Sequence, residues 1–350
     1  MFDQERSPDD DRVRQETPSP PCRSRTRRPL GDFVGGVFNL GILVLVAGLL
    51  VIMTINAPGP LSEQTVVQVE RGASSRQIAA QLVTQGVIRD ASFFLLAHRL
   101  LPDDDPLKAG EYAFAPGVTL REVVAQIRTG ATFVRRITIP EGLSSHQIVA
   151  MVTKTDGLSG RIDAIPAEGT LLPETYYFSR GEQRQALIDR MRTAMEATVA
   201  RLWDARPEEL PINSPAEAVI LASIVEKETG VAGERALVAS VFLNRLRLSM
   251  RLQSDPTVIY GITEGARPLG RALTRADWRH DSRYNTYRIG GLPPGPIANP
   301  GQAALAAVFA PAVSDYLYFV ADGTGGHAFA ETLAEHNRNV AAWRRIRDGG

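Results

Sequence analysis

"LASIVEKETG", Leu221 to Gly230, reads as the end of an apolar helix, yet two carboxylates, Glu226 and Glu228, fall in its last turn. The helix opens upstream at "NSPAEAVI" (Asn213 to Ile220). Ser214 is placed to cap it, Pro215 suits the first helical position, Glu217 completes a capping box, and Gly230 is expected to end it. From Pro215 to Glu228 almost every face is apolar, the pattern of a buried central helix. Two residues of separation put Glu226 and Glu228 about 200° apart around the axis, so they cannot share a surface. Glu228 lies over Ile224 and Val225 in line with Leu221, whereas Glu226 lies over Ala222 and Ser223. Glu228 therefore continues the more apolar stripe, and apolar surroundings raise a carboxyl pKa. An acid still protonated near neutral pH is what protonation of a glycosidic oxygen needs. The plainer alternative is two acids on a solvated helix end.

Outward from this helix, the segment Leu252 to Gly301 is dense in Gly, Pro, Tyr, Asn and Asp. So long an irregular stretch inside a compact region is usually functional. Its aromatic and amide side chains suit sugar rings, which stack on aromatics and hydrogen-bond to amides; a purely structural surface loop is the other option. Toward the N-terminus one layout occurs three times: "VERGASSRQIAAQL" (Val69 to Leu82), "FAPGVTLREVVAQI" (Phe114 to Ile127) and "IPEGLSSHQIVAMV" (Ile139 to Val152). Each has an extended stretch, a glycine (Gly72, Gly117, Gly142), a hydroxyl cap (Ser74, Thr119, Ser144) and, three residues on, Gln77, Glu122 or Gln147. That spacing predicts three capping boxes opening amphipathic helices, hence small strand–turn–helix units.

Val34 to Ile55, "VGGVFNLGILVLVAGLLVIMTI", carries no charge and is long enough to cross a bilayer. Arg23, Arg25, Arg27 and Arg28 precede it, so the positive-inside rule keeps the N-terminus cytoplasmic and exports the C-terminal bulk. A cleaved signal peptide is the rival, although the apolar run is long and starts late for one. The charged, Pro-rich first residues are expected to be disordered. A formal net charge of zero gives no case for nucleic acid as partner. The single cysteine, Cys22, excludes an intrachain disulfide and a thiolate cage, and the five histidines show no ligand spacing, so no metal or other cofactor is expected.

"ASIVEKET", followed by "VASVFLNRLRLSMRLQSDPTVIYG", "YNTY", "GLPPGPIANPG" and "YLYFVADGTGGHAF", closely resembles the endolytic murein transglycosylases of the YceG-like (MltG) type, from about Val67 to Arg347. The resemblance implies an α+β fold divided as follows: 1–32 a cytoplasmic tail, 33–56 a single transmembrane helix, 57–66 a linker, 67–135 a LysM-like module, and 136–350 a periplasmic catalytic domain with a lysozyme-like active-site helix. It implies a lyase of the inner membrane that cuts the MurNAc–GlcNAc β-1,4 bond of peptidoglycan, leaves 1,6-anhydro-MurNAc ends, and trims or terminates nascent strands. Peptidoglycan synthases are candidate partners. In related enzymes the catalytic glutamate precedes Ser or Thr at a helix end, which matches Glu228–Thr229. Asn244, Gln253, Asp255, Tyr260, Tyr284, Asn285 and Tyr287 are candidate glycan contacts, each with buried hydrogen bonding or packing as its alternative. Asp255 also fits a turn-capping role before Pro256, and Glu174 is a candidate at the cleft border. A hydrolytic muramidase and a non-catalytic wall-binding scaffold are the competing functions.

Overall fold

The structure, a computed structural model, describes residues 30–101 and 105–349. The cytoplasmic tail expected over 1–32, with its arginines and Cys22, lies outside the described residues but for its last three. The chain is a mixed α+β protein, mostly helical, with three two-stranded antiparallel sheets among the described residues. Helix α1 (Leu30–Asn56) contains a stretch, Val37–Asn56, long and apolar enough to cross a membrane.

The first two strand–turn–helix units fold together. Strand β1 (Thr65–Val69) leads to α2 (Ser75–Thr84) and α3 (Ala91–Leu100); β2 (Gly110–Phe114) leads to α4 (Leu120–Thr129). β1 and β2 pair in antiparallel register, Thr65 opposite Phe114 and Val69 opposite Gly110. Alternate residues point inward, so Val67, Val69, Tyr112 and Phe114 meet Ile78, Leu82, Phe94, Val123 and Ile127 of the helices in one core. The buried Tyr112 hydroxyl donates to Lys108 O at 2.7 Å, which offsets its desolvation. Both expected capping boxes form, and the glycine before each lies at positive φ, 80° at Gly72 and 69° at Gly117. A side chain there would be strained, which is why the repeated unit carries glycine at that point. The segment 57–66, expected as a linker, is bonded onto this body: Gly59 N donates to Val118 O at 3.1 Å and Gly117 N to Leu61 O at 3.0 Å.

The third unit pairs elsewhere. Its strand β3 (Arg135–Thr138) joins β4 (Thr175–Phe178), drawn from the aromatic segment "ETYYF", and its helix α5 (Ser145–Lys154) packs with α6 (Arg184–Asp204) over that sheet. A bidentate ion pair ties the two bodies together. Arg135 of β3 donates to both carboxylate oxygens of Glu111 on β2, at 2.9 and 2.8 Å, and this holds the Glu111 carboxyl below the usual range.

Helices α7 (Pro215–Glu228), α8 (Arg235–Arg247) and α10 (Gln302–Phe309) form the third core with α6. α7 is the central helix its pattern predicts, with Ala218, Leu221, Ala222, Ile224 and Val225 buried. α9 (Asp255–Thr263) starts the long irregular segment. A hairpin of β5 (Tyr318–Ala321) and β6 (His327–Ala330), followed by α11 (Leu333–Gly349), closes one side.

Candidate active site

α7 begins as expected at its cap: Ser214 Oγ accepts from Glu217 N. The Glu217 carboxylate, however, accepts from Asn213 N at 2.8 Å, one residue short of a strict capping box. At the other end Gly230 is not the terminator. The chain leaves the helix at Thr229, extended at φ −140° and ψ 132°. The buried Thr229 hydroxyl accepts from Val231 N at 3.0 Å and donates to Glu234 at 3.4 Å, so a β-branched residue with a local hydroxyl turn makes the break.

The two acids part company there. Glu226 turns toward α10, where its carboxylate accepts from Gly301 N, at that helix's N-cap, at 2.9 Å and meets Arg235 at 3.7 Å. It caps that helix N-terminus; burial raises this carboxyl too, with the Glu141 charge adding to the rise and the Gly301 N–H, Arg235 and Lys227 opposing it. Glu228 turns the other way, into a cleft. Ser254 Oγ donates to it at 2.5 Å. Ser254 is itself fixed, since its N–H donates to Thr286 Oγ1 at 2.9 Å and its carbonyl accepts from Thr257 Oγ1 at 2.6 Å. All three hydroxyl residues are buried. Burial pushes the Glu228 carboxyl up to about 7, and the neighbouring Asp255 charge adds to the rise; the Ser254 hydrogen bond and the charges of His327 and Arg245 oppose it.

The cleft has a volume of about 470 Å³ and is lined by Glu228, Gln253, Asp255 and Tyr287 among the residues singled out from sequence. Asp255 Oδ1 accepts from Tyr287 OH at 2.7 Å and from Trp278 Nε1 at 2.9 Å, so the acid is held in place from two sides. Gln253 sits at φ 53°, a left-handed conformation rare outside glycine and enriched at functional sites. The other candidates lie elsewhere. Asn244 donates to Ser314 O and Tyr316 O, and the fully buried Asn285 donates to Trp278 O and His280 O. Tyr260 and Tyr284 pack on each other with ring centroids 4.8 Å apart, against the helical core. Glu174 is exposed at the β3–β4 sheet and does not line this cleft.

Three cleft residues carried no local signal in the sequence: Arg245, Tyr318 and His336. Arg245, buried on α8, spends Nε on Leu317 O and Nη1 on Leu252 O, and its guanidinium lies 5.2 Å from the Tyr318 ring centroid. His336 of α11 stacks on the same tyrosine at 5.2 Å, and burial followed by the Arg245 charge lowers its pKa. Behind the cleft, Glu234 receives the N–H of His327 at 2.8 Å and lies 2.7 Å from its Nδ1. This pair fastens β6 to the turn that follows Glu228.

A half-buried carboxyl with a raised pKa and a hydroxyl donor, in a cleft with a second acid and an arginine, is equipped for acid–base chemistry. The endolytic murein transglycosylase of Bacillus subtilis (strain 168) is 30% identical over 311 residues, covering 79% of this chain and 84% of that protein. The protein of the same name from Streptococcus pneumoniae (serotype 2, strain D39) is 28% identical over 320 residues, and the match takes in 57% of its length. This chain thus spans little more than half of the pneumococcal relative. A crystal structure of a yceG-like protein from Listeria monocytogenes aligns over 79% of this chain and 99% of its own, at 32% identity and a TM-score of 0.48. The model of the YceG-like family matches residues 67–342, and the chain belongs to that family.

Proposed function

We propose that the chain is a lytic transglycosylase that cleaves peptidoglycan glycan strands at the MurNAc–GlcNAc β-1,4 bond with Glu228 as its acid and base. The observation that carries this reading is the Glu228 carboxyl, raised to about 7 and lining the cleft beside Asp255 and Arg245. At neutral pH such a group is present in both forms, so it can give a proton and then take one back. Protonated Glu228 donates to the leaving glycosidic oxygen. The resulting carboxylate takes the proton of the MurNAc C6 hydroxyl as that oxygen closes on C1, which leaves a 1,6-anhydro end and no added water. The substrate's N-acetyl group stands in for the second carboxylate that ordinary glycosidases use. Ser254 steadies the carboxylate form between the two transfers. Gln253, Asp255 and Tyr287, with Arg245 and Tyr318, are the side chains available to the sugars.

The same reading takes α1 as a single-pass anchor in the inner membrane, the β1–α4 body as a LysM-like glycan holder over 67–135, and 136–350 as the periplasmic catalytic domain. Trimming or ending of nascent strands beside a peptidoglycan synthase fits an anchored enzyme. Asp255 in the same cleft favours one second reading, a hydrolytic muramidase with Asp255 as its base. Mass spectrometry of sacculi digested by the detergent-solubilised full chain separates them. Anhydro-MurNAc ends are expected; reducing ends would mean the muramidase, and no new ends would mean a wall-binding scaffold.

A further inference from the structure

α3 is apolar on two faces. Phe94 and Ala97 are buried in the first core, yet Phe93, Leu96 and Leu100, at i, i+3 and i+7, form a second stripe on the outer side. Phe93 is 38% exposed and Leu100 60%, in a body whose other helices keep mostly polar residues outward. The stripe lies beside the exit of α1. Ile55 and Val51 of α1 are packed into the same core as α3, Arg121 Nε donates to Asn56 Oδ1 at 2.8 Å, and an apolar notch between the two helices is lined by Thr54, Ala57 and Phe93. At 1.5 Å per residue a bilayer's hydrocarbon takes up about 20 residues, the whole of Val37–Asn56. The turns of α1 that hold the first body are therefore turns of the membrane span itself. Whatever packs on Val51 and Ile55, in the last two turns of that span, stands at the boundary between acyl chains and headgroups. The exposed Arg89 and Arg99 flank the stripe, placed for lipid phosphates while the apolar side chains enter the acyl boundary.

From this geometry we infer that α3 is a membrane-surface helix, seated through Phe93, Leu96 and Leu100 in the outer face of the bilayer that α1 crosses. The inference rests on α1 being a membrane span. Its consequence is that the first body has no freedom to swing away from the membrane: it is held by α1 from below and by α3 alongside.

The test uses the full chain, made cysteine-free by Cys22→Ser, in phosphatidylethanolamine–phosphatidylglycerol vesicles. A fluorescent bimane is placed singly at Phe93→Cys, Leu100→Cys, Leu45→Cys (mid-span) and Val313→Cys (fully exposed and remote from α1). Lipids carrying a nitroxide near the headgroup should quench positions 93 and 100 at least about twofold more than position 313. Nitroxides deep in the chains should quench position 45. If 45 is quenched while 93 and 100 match 313, α1 spans and the inference about α3 is wrong. If 45 also matches 313, the membrane span fails, and the inference with it.

Discussion

The first body and the cleft are built on opposite terms. The β1–α4 body is regular: an apolar core, paired capping boxes, and left-handed backbone confined to glycines such as Gly72, Gly86 and Gly117. The cleft is assembled from groups that cost stability when desolvated, the half-buried Glu228 and the buried Arg245, Ser254, Thr257 and Thr286, and from Gln253 in a left-handed conformation. Ser254, Thr257, Thr286 and Arg245 are held by named partners, as burial requires, whereas His336 Nδ1 is buried without one. One region uses its sequence for folding, the other for holding an acid whose pKa its surroundings raise. A change in the first should therefore be read as stability, and a change in the second as activity.

Glu228→Gln is the strongest test of that division. Loss of the transferable proton should reduce release of anhydro-terminated fragments on the order of 10²- to 10⁴-fold, with no loss of thermal stability. The pH dependence adds a sign. The folded carboxyl, at about 7, lies above the ordinary 4.5, so between those values the unfolded chain is the more ionised. Wild-type stability should fall as pH rises through that window and level off above it, whereas the Gln variant lacks this contribution. A melting curve that drops for Glu228→Gln at every pH would assign the residue a structural role instead.

Phe94→Ala probes the other side of the comparison. Phe94 is fully buried in the first core, and removal of its ring should cost about 3–5 kcal/mol in that body by denaturant unfolding. The cleft should keep its turnover on short soluble strands at temperatures where the variant remains folded. Parallel loss of turnover there would show that the two bodies are not separable in function.

Ser254→Ala should lower activity about tenfold, in the range of one lost hydrogen bond to a charged group. Because that bond favours the carboxylate, its removal should move the alkaline limb of the pH–rate profile upward. An unshifted limb with lower rates would mean that Ser254 only packs. The smallest effect belongs to Glu226→Gln. The amide oxygen can still accept from Gly301 N, so activity should stay within about twofold and stability within about 1 kcal/mol, the scale of a charge at a helix N-terminus.

Sequence alone determined the features that depend on neighbours a few residues away. Ser74 with Gln77, Thr119 with Glu122 and Ser144 with Gln147 form their boxes because the donor and acceptor are three residues apart on one turn. The burial of α7 and the divergence of Glu226 from Glu228 follow from helical geometry in the same way. Local grammar misjudged the end of α7, because Thr229 offered its own hydroxyl turn before Gly230 was reached. Which aromatics and amides enter the cleft was a tertiary decision. Tyr284 and Tyr287 are three residues apart in irregular chain, where no fixed period assigns a face, and one packs on Tyr260 while the other reaches Asp255. Ser254 lies 26 residues from Glu228, and Tyr318 and His336 arrive on the hairpin and the last helix. Their place beside the acid is set by how α8, α9 and α11 pack together, and no spacing within any one of those segments encodes it.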